Sequence, residues 1–558
     1  MAAPEMDWRS AWRGKARFTI FDSGHDHQVR FDAVLQLWLA DPARPARLHY
    51  IALGDGAMAG FRRVPQVHPG VTFDLLVTPL ATALAQLDAR LDALMLHDLE
   101  GQGSGFARAL VRLAEPGALL MAQRLSDTQA HALAGAGFDC RDCGQGRIEA
   151  AFTTRKPASP WARQREPVRR AIVLGAGLAG SAACERLVAR GWDVTLVERH
   201  AKAACEASGN LAGVYMPLLS KDDNIMTRLS RAALQYARAD WERLGGIGPQ
   251  RAILGAECGV LHLARDGAHA DVQRAIARLG RAPRAFAEWL EPAPASALLG
   301  AAAPYGGWLF RQSGWVRPAS VCAAMLAACG ARLSTVFGAG SVTLARHDGQ
   351  WQVRDGAGAT LASAPVIVIA SGTGALQLAQ TAALPLASVR GQVTHLAAGA
   401  APDLSFVLCR EAYLTPVNDG FHSLGASYDS DADPALRAAS QRANLDKIGS
   451  MLAMPGFGSD APLAGRTGFR CVAPDRLPLV GAVPEPGASG RAERLRDIAR
   501  QPGLYCLLGY ASRGLAWAPL AAELLASRLD GDPLPLEAEL ATALDPARFL
   551  LRARRRAM

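Results

Sequence analysis

Short apolar runs separated by polar, glycine-bearing or proline-bearing stretches recur along the chain, at the length of buried strands rather than helices. In the first 155 residues, Phe18-Thr19-Ile20-Phe21, Leu48 to Leu53, Thr72 to Val77, Leu91 to Leu96 and Ala118 to Ala122 read as strands. Val29 to Leu39 and Phe106 to Leu113 read as helices among them. That alternation predicts an α/β, doubly wound sheet. The polar, proline-bearing stretch 155–168 reads as a linker. Beyond it, Ala171 to Leu174, Asp193 to Val197, Val366 to Ile369 and Gly503 to Tyr510 read as further strands, and Ser181 to Arg190 and Ala516 to Leu529 as helices. Ala412 to Pro416 and Phe421 to Tyr428 flank Asn418-Asp419-Gly420, and Asp-Gly between apolar-rich runs predicts a hairpin.

One junction carries more than architecture. The strand ending at Leu174 runs into Gly175-Ala176-Gly177-Leu178-Ala179-Gly180 and then a helix. Gly175 permits the tight turn, Gly177 lets backbone approach a pyrophosphate, and Gly180 lets helix and strand pack closely. The anion would sit on the amides of the helix N-terminus. The next strand ends in Glu198, about twenty residues on, where an acid that holds a ribose belongs. Gly509, Ser512, Gly514 and Leu515 lie in a second strand–glycine–helix junction.

A chain of 558 residues leaves room for two to four domains. Sixty Lys+Arg against fifty-one Asp+Glu give +9, with basic residues gathered at Arg552, Arg554, Arg555 and Arg556, which suits a polyanion. No apolar run is long enough to span a bilayer, and residues 1–17 lack a signal peptide's apolar core, which together predict a cytoplasmic protein. Cys140 and Cys143 form one C-x-x-C, but no second pair or histidine cluster completes a zinc site, so no metal is expected. Trp315 and His422 read as core and strand-face residues.

The order of pieces up to residue 155 resembles the methyltransferase half of the bacterial bifunctional family that completes 5-methylaminomethyl-2-thiouridine in tRNA. In that family a glycine-rich loop after the first strand cradles S-adenosylmethionine. Here the loop is Asp22-Ser23-Gly24-His25-Asp26-His27, the second strand ends Leu53-Gly54-Asp55, and Leu96-His97-Asp98-Leu99-Glu100 follows the fourth. With one glycine where the family has several, these residues favour a domain kept for packing or for holding tRNA over an active methyltransferase.

From residue 169 to 558 the chain resembles the FAD-dependent half of the same family, related to glycine oxidase and D-amino-acid oxidase. The resemblance rests on Glu206-Ala207-Ser208-Gly209-Asn210-Leu211-Ala212-Gly213, on the turn at Gly372, on Val389-Arg390-Gly391-Gln392-Val393 and on Gly465 to Gly481. It implies an FAD-binding Rossmann-type domain with an inserted antiparallel-sheet substrate domain, formed roughly by 250–312 and 388–460. Ser208, Gly209, Asn210, Gly213 and Gly372 would then contact FAD. Tyr413, Arg470 and Arg513 match residues that face substrate in the relatives, and an arginine fork suits a carboxylate. The implied reaction is oxidation of a carboxymethylaminomethyl group on the wobble uridine of a tRNA anticodon loop, followed by methylation of the exposed amine. Other readings of the same residues are a free-standing oxidase of glycine or sarcosine and a tRNA-binding flavoprotein without turnover. A NAD-dependent dehydrogenase fits Ser208 to Gly213 and Gly509 to Leu515 less well.

Overall fold

The computed structural model describes residues 6–97, 99, 102–103, 105–123, 125–144, 147–153, 168–458, 463–487 and 494–557. Apart from Val168, the expected linker 156–168 lies outside them, as do Asp98 and Glu100. The chain forms two compact units. The first takes the described residues of Met1–Glu166 together with Ser527–Ala541, and the second takes Pro167–Ala526 and Thr542–Met558.

The first unit is built on an eight-stranded sheet of β1 (Arg17–Asp22), β2 (Arg47–Leu53), β3 (Gly60–His68), β4 (Val71–Val77), β5 (Leu91–Leu96), β6 (Ala114–Gln123), β7 (Phe138–Asp142) and β8 (Arg147–Phe152). Its spatial order is β3-β4-β2-β1-β5-β6-β8-β7. Strands β4, β2, β1, β5 and β6 run parallel, with antiparallel β3 on one edge and the β7–β8 hairpin on the other. The central strands are apolar on both faces because both are covered. Trp12, Phe18, Phe31 and Trp38 pack on one side, and Leu84, Leu94, Leu110 and Phe138 on the other.

Ser527–Ala541, expected within the FAD-binding domain, belongs instead to this first unit. The reason is ionic as much as apolar. Arg47 reaches Asp530 at 2.5 Å and Asp532 at 2.8 Å. Arg63, buried against Asp74 at 2.7 Å, donates to the Pro533 carbonyl at 2.9 Å. The Leu534 amide closes on the Asp88 carbonyl at 3.0 Å, and Leu536 and Leu540 are buried.

The second unit contains two main sheets. One has β9 (Arg170–Leu174) and β10 (Asp193–Val197) at its centre, flanked by Leu333–Val336 beyond β10 and by Val366–Ile369, Arg500–Leu508 and Leu479–Pro484 beyond β9. All its pairings are parallel except that of Leu479–Pro484. The other is an eight-stranded sheet in the order Glu288–Leu290, Gly307–Phe310, Val260–Leu263, Val407–Cys409, Tyr413–Leu414, Phe421–Gly425, Ala387–Ala397 and Leu463–Val472. Most of its strands fall roughly within 250–312 and 388–460, with two departures from an antiparallel sheet bounded there. Val260–Leu263 and Val407–Cys409 pair in parallel, and the sheet continues past residue 460 to the edge strand Leu463–Val472.

The hairpin at Asn418 forms as its residues require. Asp419 and Gly420 both have positive φ, +51° and +79°, the geometry of a type I′ turn. Trp315 is buried, and His422 is fully buried with Nδ1 2.9 Å from the Thr415 carbonyl.

Candidate active site

A cavity of about 650 Å³ runs through the second unit past both glycine junctions. At one end, Gly175 holds φ +99°, and a Cβ there would stand 2.8 Å from Ser371 Cα. Gly177 caps the helix Leu178–Val188 without a side-chain acceptor, and the Leu178 amide donates to Ser208 Oγ at 3.1 Å. Glu198 accepts from the Ala176 amide at 2.6 Å and the His200 amide at 2.9 Å, so each oxygen keeps a lone pair for a further hydroxyl. Gly180 lies behind the wall, where a Cβ would overlap the Gly175 carbonyl oxygen. It sets the helix-to-strand distance rather than touching the cavity.

Along the cavity come Asn210, Gly213 and Gly372, then Gly509, Ser512, Gly514 and Leu515 at the start of the helix Gly514–Asp530. Gly209 is not on the wall. It lies under Arg466, which donates to the Cys205 carbonyl and to Asn210 Oδ1 at 3.3 Å and so pins the turn 205–210. An elongated cavity with a glycine turn, a helix start whose N-cap is a glycine and an acid at one end fits a dinucleotide such as FAD.

Tyr413, Arg470 and Arg513 line the same cavity, brought together from three separate strands or turns. Arg470 crosses Gly391, where a Cβ would overlap it, and donates to the Ser427 carbonyl at 3.2 Å. Its guanidinium stands 5.0 Å from the centre of the Tyr428 ring. Arg513 donates to the Met216 carbonyl at 3.4 Å. Neither arginine pairs with a carboxylate among the described residues. Burial pulls the Arg470 guanidinium down from its ordinary value and that of Arg513 to about 10. Burial pushes the Tyr413 hydroxyl up to about 12, so it remains a donor at neutral pH. Two half-buried cations without counter-ions and a protonated phenol form a receptor for an anion.

Residues 170–528 match the model of the FAD dependent oxidoreductase (DAO) family. Over 592 residues the chain is 40% identical to the tRNA 5-methylaminomethyl-2-thiouridine biosynthesis bifunctional protein MnmC of Azoarcus sp., covering 98% of this chain and 92% of that protein. This chain belongs to the MnmC family. The Aromatoleum aromaticum MnmC is likewise 40% identical, with 98% and 92% covered. Among solved structures, glycine oxidase from Geobacillus kaustophilus superposes with a TM-score of 0.56 at 21% identity, covering 68% of this chain and 99% of that one. Iminodiacetate oxidase from Chelativorans sp. gives 0.53 at 23% identity, covering 65% and 96%. At these identities the structures establish the fold of the second unit.

An MnmC chain carries a second candidate site, at the carboxyl ends of β1 and β5. There the strand order of the first unit reverses, the usual crevice for a ligand in an open α/β sheet. Asp22 is fully buried at the end of β1 and accepts from Arg30 at 2.8 and 3.1 Å, from the Tyr50 hydroxyl at 2.6 Å and from the Gly24 amide at 2.9 Å. Ser23 Oγ accepts from the His97 amide at 2.8 Å. Arg30 lies so close over Gly24 that a Cβ would overlap it. The crevice is where the resemblance to the methyltransferase half would place S-adenosylmethionine. What it offers such a ligand is exposed Asp55, beside His25 at 3.4 Å, since Asp22 is already satisfied and the amides of Gly24 and Gly54 are taken by Asp22 and by the Leu76 carbonyl.

Sequence reasoning missed three residues of the oxidase cavity. Cys409 sits on its wall with burial pushing the thiol up to about 12, Met216 closes it beside Arg513, and Arg466 anchors its loop from outside. Arg466 and Met216 lay in stretches that carry the family resemblance, Gly465 to Gly481 and Tyr215 to Leu219, but their roles had no local signal, and Cys409 had none at all. No helix among the described residues is long and apolar enough to cross a membrane, and no metal-ligand cluster occurs among them.

Proposed function

We propose that the second unit oxidises the secondary amine of 5-carboxymethylaminomethyl-(2-thio)uridine at the wobble position of tRNA to the 5-aminomethyl form. The observation that carries the reading is a pair of half-buried arginines without carboxylate partners, set in a dinucleotide-sized cavity of an MnmC chain. FAD bound along Gly175, Gly177, Ser208, Asn210, Gly213, Gly372 and Gly509 to Leu515 supplies the two-electron acceptor. Arg513 and Arg470 hold the carboxylate of the carboxymethyl arm, and the Tyr413 hydroxyl donates to it. Orientation is most of what such a site needs to provide, because the electrons leave from the carbon between that carboxylate and the nitrogen. Water then cleaves the C=N bond, giving the primary amine on the nucleoside and glyoxylate.

The first unit methylates that amine with S-adenosylmethionine held in the β1–β5 crevice. A first unit that holds tRNA without methylating is the second reading, favoured by Arg30 lying across Gly24 and by the satisfied Asp22. One experiment separates these. Purified protein is incubated with tRNA carrying the carboxymethylaminomethyl group, with and without S-adenosylmethionine, and digested nucleosides are weighed by mass spectrometry. Methylaminomethyluridine that appears only with S-adenosylmethionine supports both activities. Aminomethyluridine in both tubes supports the oxidase and the non-methylating first unit. Unchanged nucleoside from a yellow protein rejects the tRNA reading in favour of a small-amine oxidase.

A further inference from the structure

A second cavity of about 450 Å³ lies in the second unit, walled by the helix Gly267–Arg278, the residues after it and the segment Leu218–Ser220. Its size suits a single nucleotide-sized ligand. Half-buried Trp289 forms an aromatic wall, braced edge-on by Trp308 with ring centres 5.7 Å apart and planes at 73°. Trp308 is itself fixed by its indole N–H donating to Gln273 at 2.8 Å.

The charges around it are unevenly matched. Arg231 pairs with Asp223 at 2.9 Å, Arg274 with Asp271 at 2.8 Å and Glu291 at 3.0 Å, and Arg284 with Glu288 at 2.6 Å. Arg278 and Arg281, exposed on either side of Gly280, pair with no carboxylate among the described residues. Arg281 donates instead to the Lys221 carbonyl at 2.7 Å, which ties it to the chain that runs on from Leu218–Ser220. An aromatic face with unmatched guanidinium groups at its edge is the donor set for a base and its phosphate.

Position narrows the source. Met216 walls the oxidase cavity and Leu218 walls this one, and two residues of extended chain span at most about 7 Å. The walls of the two cavities therefore come within about 7 Å of each other at 216–218, which makes a strand that enters one a candidate occupant of the other. We propose that this cavity seats a nucleotide of the single-stranded anticodon loop adjacent to the one being oxidised, its base against Trp289 and its phosphate at Arg278 and Arg281. The inference rests on the reading that tRNA is the substrate.

The test measures tRNA binding to the full chain by filter retention from 50 to 200 mM salt. The double variant Arg278→Ala/Arg281→Ala changes two exposed side chains, and an unaltered flavin spectrum checks its fold. Each phosphate of single-stranded nucleic acid that is neutralised contributes about 0.7 to the slope of log affinity on log salt, so the double variant, which gives up one phosphate, loses about 0.7. Trp289→Ala weakens binding about tenfold, and Trp289→Phe, which keeps a stacking face, recovers most of it. Unchanged slope and affinity in these variants, in a chain that binds tRNA, overturn the proposal and leave the oxidase reading standing. An unchanged slope with polyglutamate binding abolished in the double variant gives the cavity to an acidic protein partner instead. A wild-type chain that binds no tRNA overturns both.

Discussion

Arg513 makes a prediction with two opposite signs. Burial pulls its guanidinium well below the ordinary arginine value, to about 10, with only Cys409 opposing. A base whose native pKa is lowered is penalised whenever it is charged, and here that holds at every pH below about 10. At about 1.4 kcal/mol per pK unit the penalty is about 3 kcal/mol, an upper bound because the unfolded chain is fully solvated. Replacing the side chain by methionine keeps its bulk and removes the charge. The Arg513→Met protein therefore melts higher, by about 4 °C for a unit of several hundred residues. The same change removes a charge-assisted bond of about 1.5–3 kcal/mol to a bound carboxylate, which is roughly 10- to 150-fold in affinity. Differential scanning calorimetry and titration with glycolate, followed by flavin absorbance, read the two halves. A lower melting temperature together with unchanged glycolate affinity would refute the reasoning, since Arg513 would then be a structural cation rather than a receptor.

Three further outcomes follow from other sites. His262 is held down to about 4 by burial, with His269 and Arg513 adding to it. Between pH 6.5 and 4 the unfolded chain takes up a proton the native one refuses, so stability falls on acidification by up to about 3 kcal/mol; urea melts of His262→Gln should lose that slope, and an identical slope in both proteins would clear His262. Gly180→Ala drives a Cβ into the Gly175 carbonyl, so the purified protein should be colourless or bind added FAD at least tenfold more weakly, measured by flavin fluorescence. Arg390 is fully buried, bonded to Asp429 at 3.0 Å, Gln392 at 2.8 Å and the Asp433 carbonyl at 2.8 Å. Arg390→Ala strands those partners and should cost about 3–5 kcal/mol in denaturant unfolding, whereas a loss under 1 kcal/mol would show that water replaces it.

What could be read from the sequence was whatever announces itself locally. β1, β2, β4 and β5 are apolar on both faces and short, and the glycine turns at Gly175 and Gly509 need no distant partner to be recognised. The Asp419-Gly420 hairpin is of the same kind. The strand β3 escaped because Pro65 and the arginines Arg62 and Arg63 break its apolar pattern, while Arg63 is interior because it meets Asp74 on β4 and the Pro533 carbonyl. β7 and β8 alternate weakly and lie at a sheet edge, where one-sided burial leaves little pattern. In the oxidase cavity the glycines were legible and Cys409, Met216 and the Arg466 clamp were not. Each of these acts through a residue tens to hundreds of positions away. The attachment of Ser527–Ala541 to the first unit is the extreme case, resting on Arg47 and Arg63 from the far end of the chain.

That attachment has a consequence for how the protein is made. A ribosome releases the first unit's own strands early, but the stretch that neutralises Arg47 and satisfies Arg63 is translated some 370 residues later. At bacterial rates of about 5–20 residues per second, that interval is on the order of 20–75 s. Throughout it the nascent first unit carries Arg47 without the carboxylates of Asp530 and Asp532, and Arg63, though paired with Asp74, without the Pro533 carbonyl, while residues 167–526 of the second unit are being made. The unit that starts first thus waits on a stretch made after Ala526, and a gene cut at the domain boundary would encode a fragment that never leaves that waiting state.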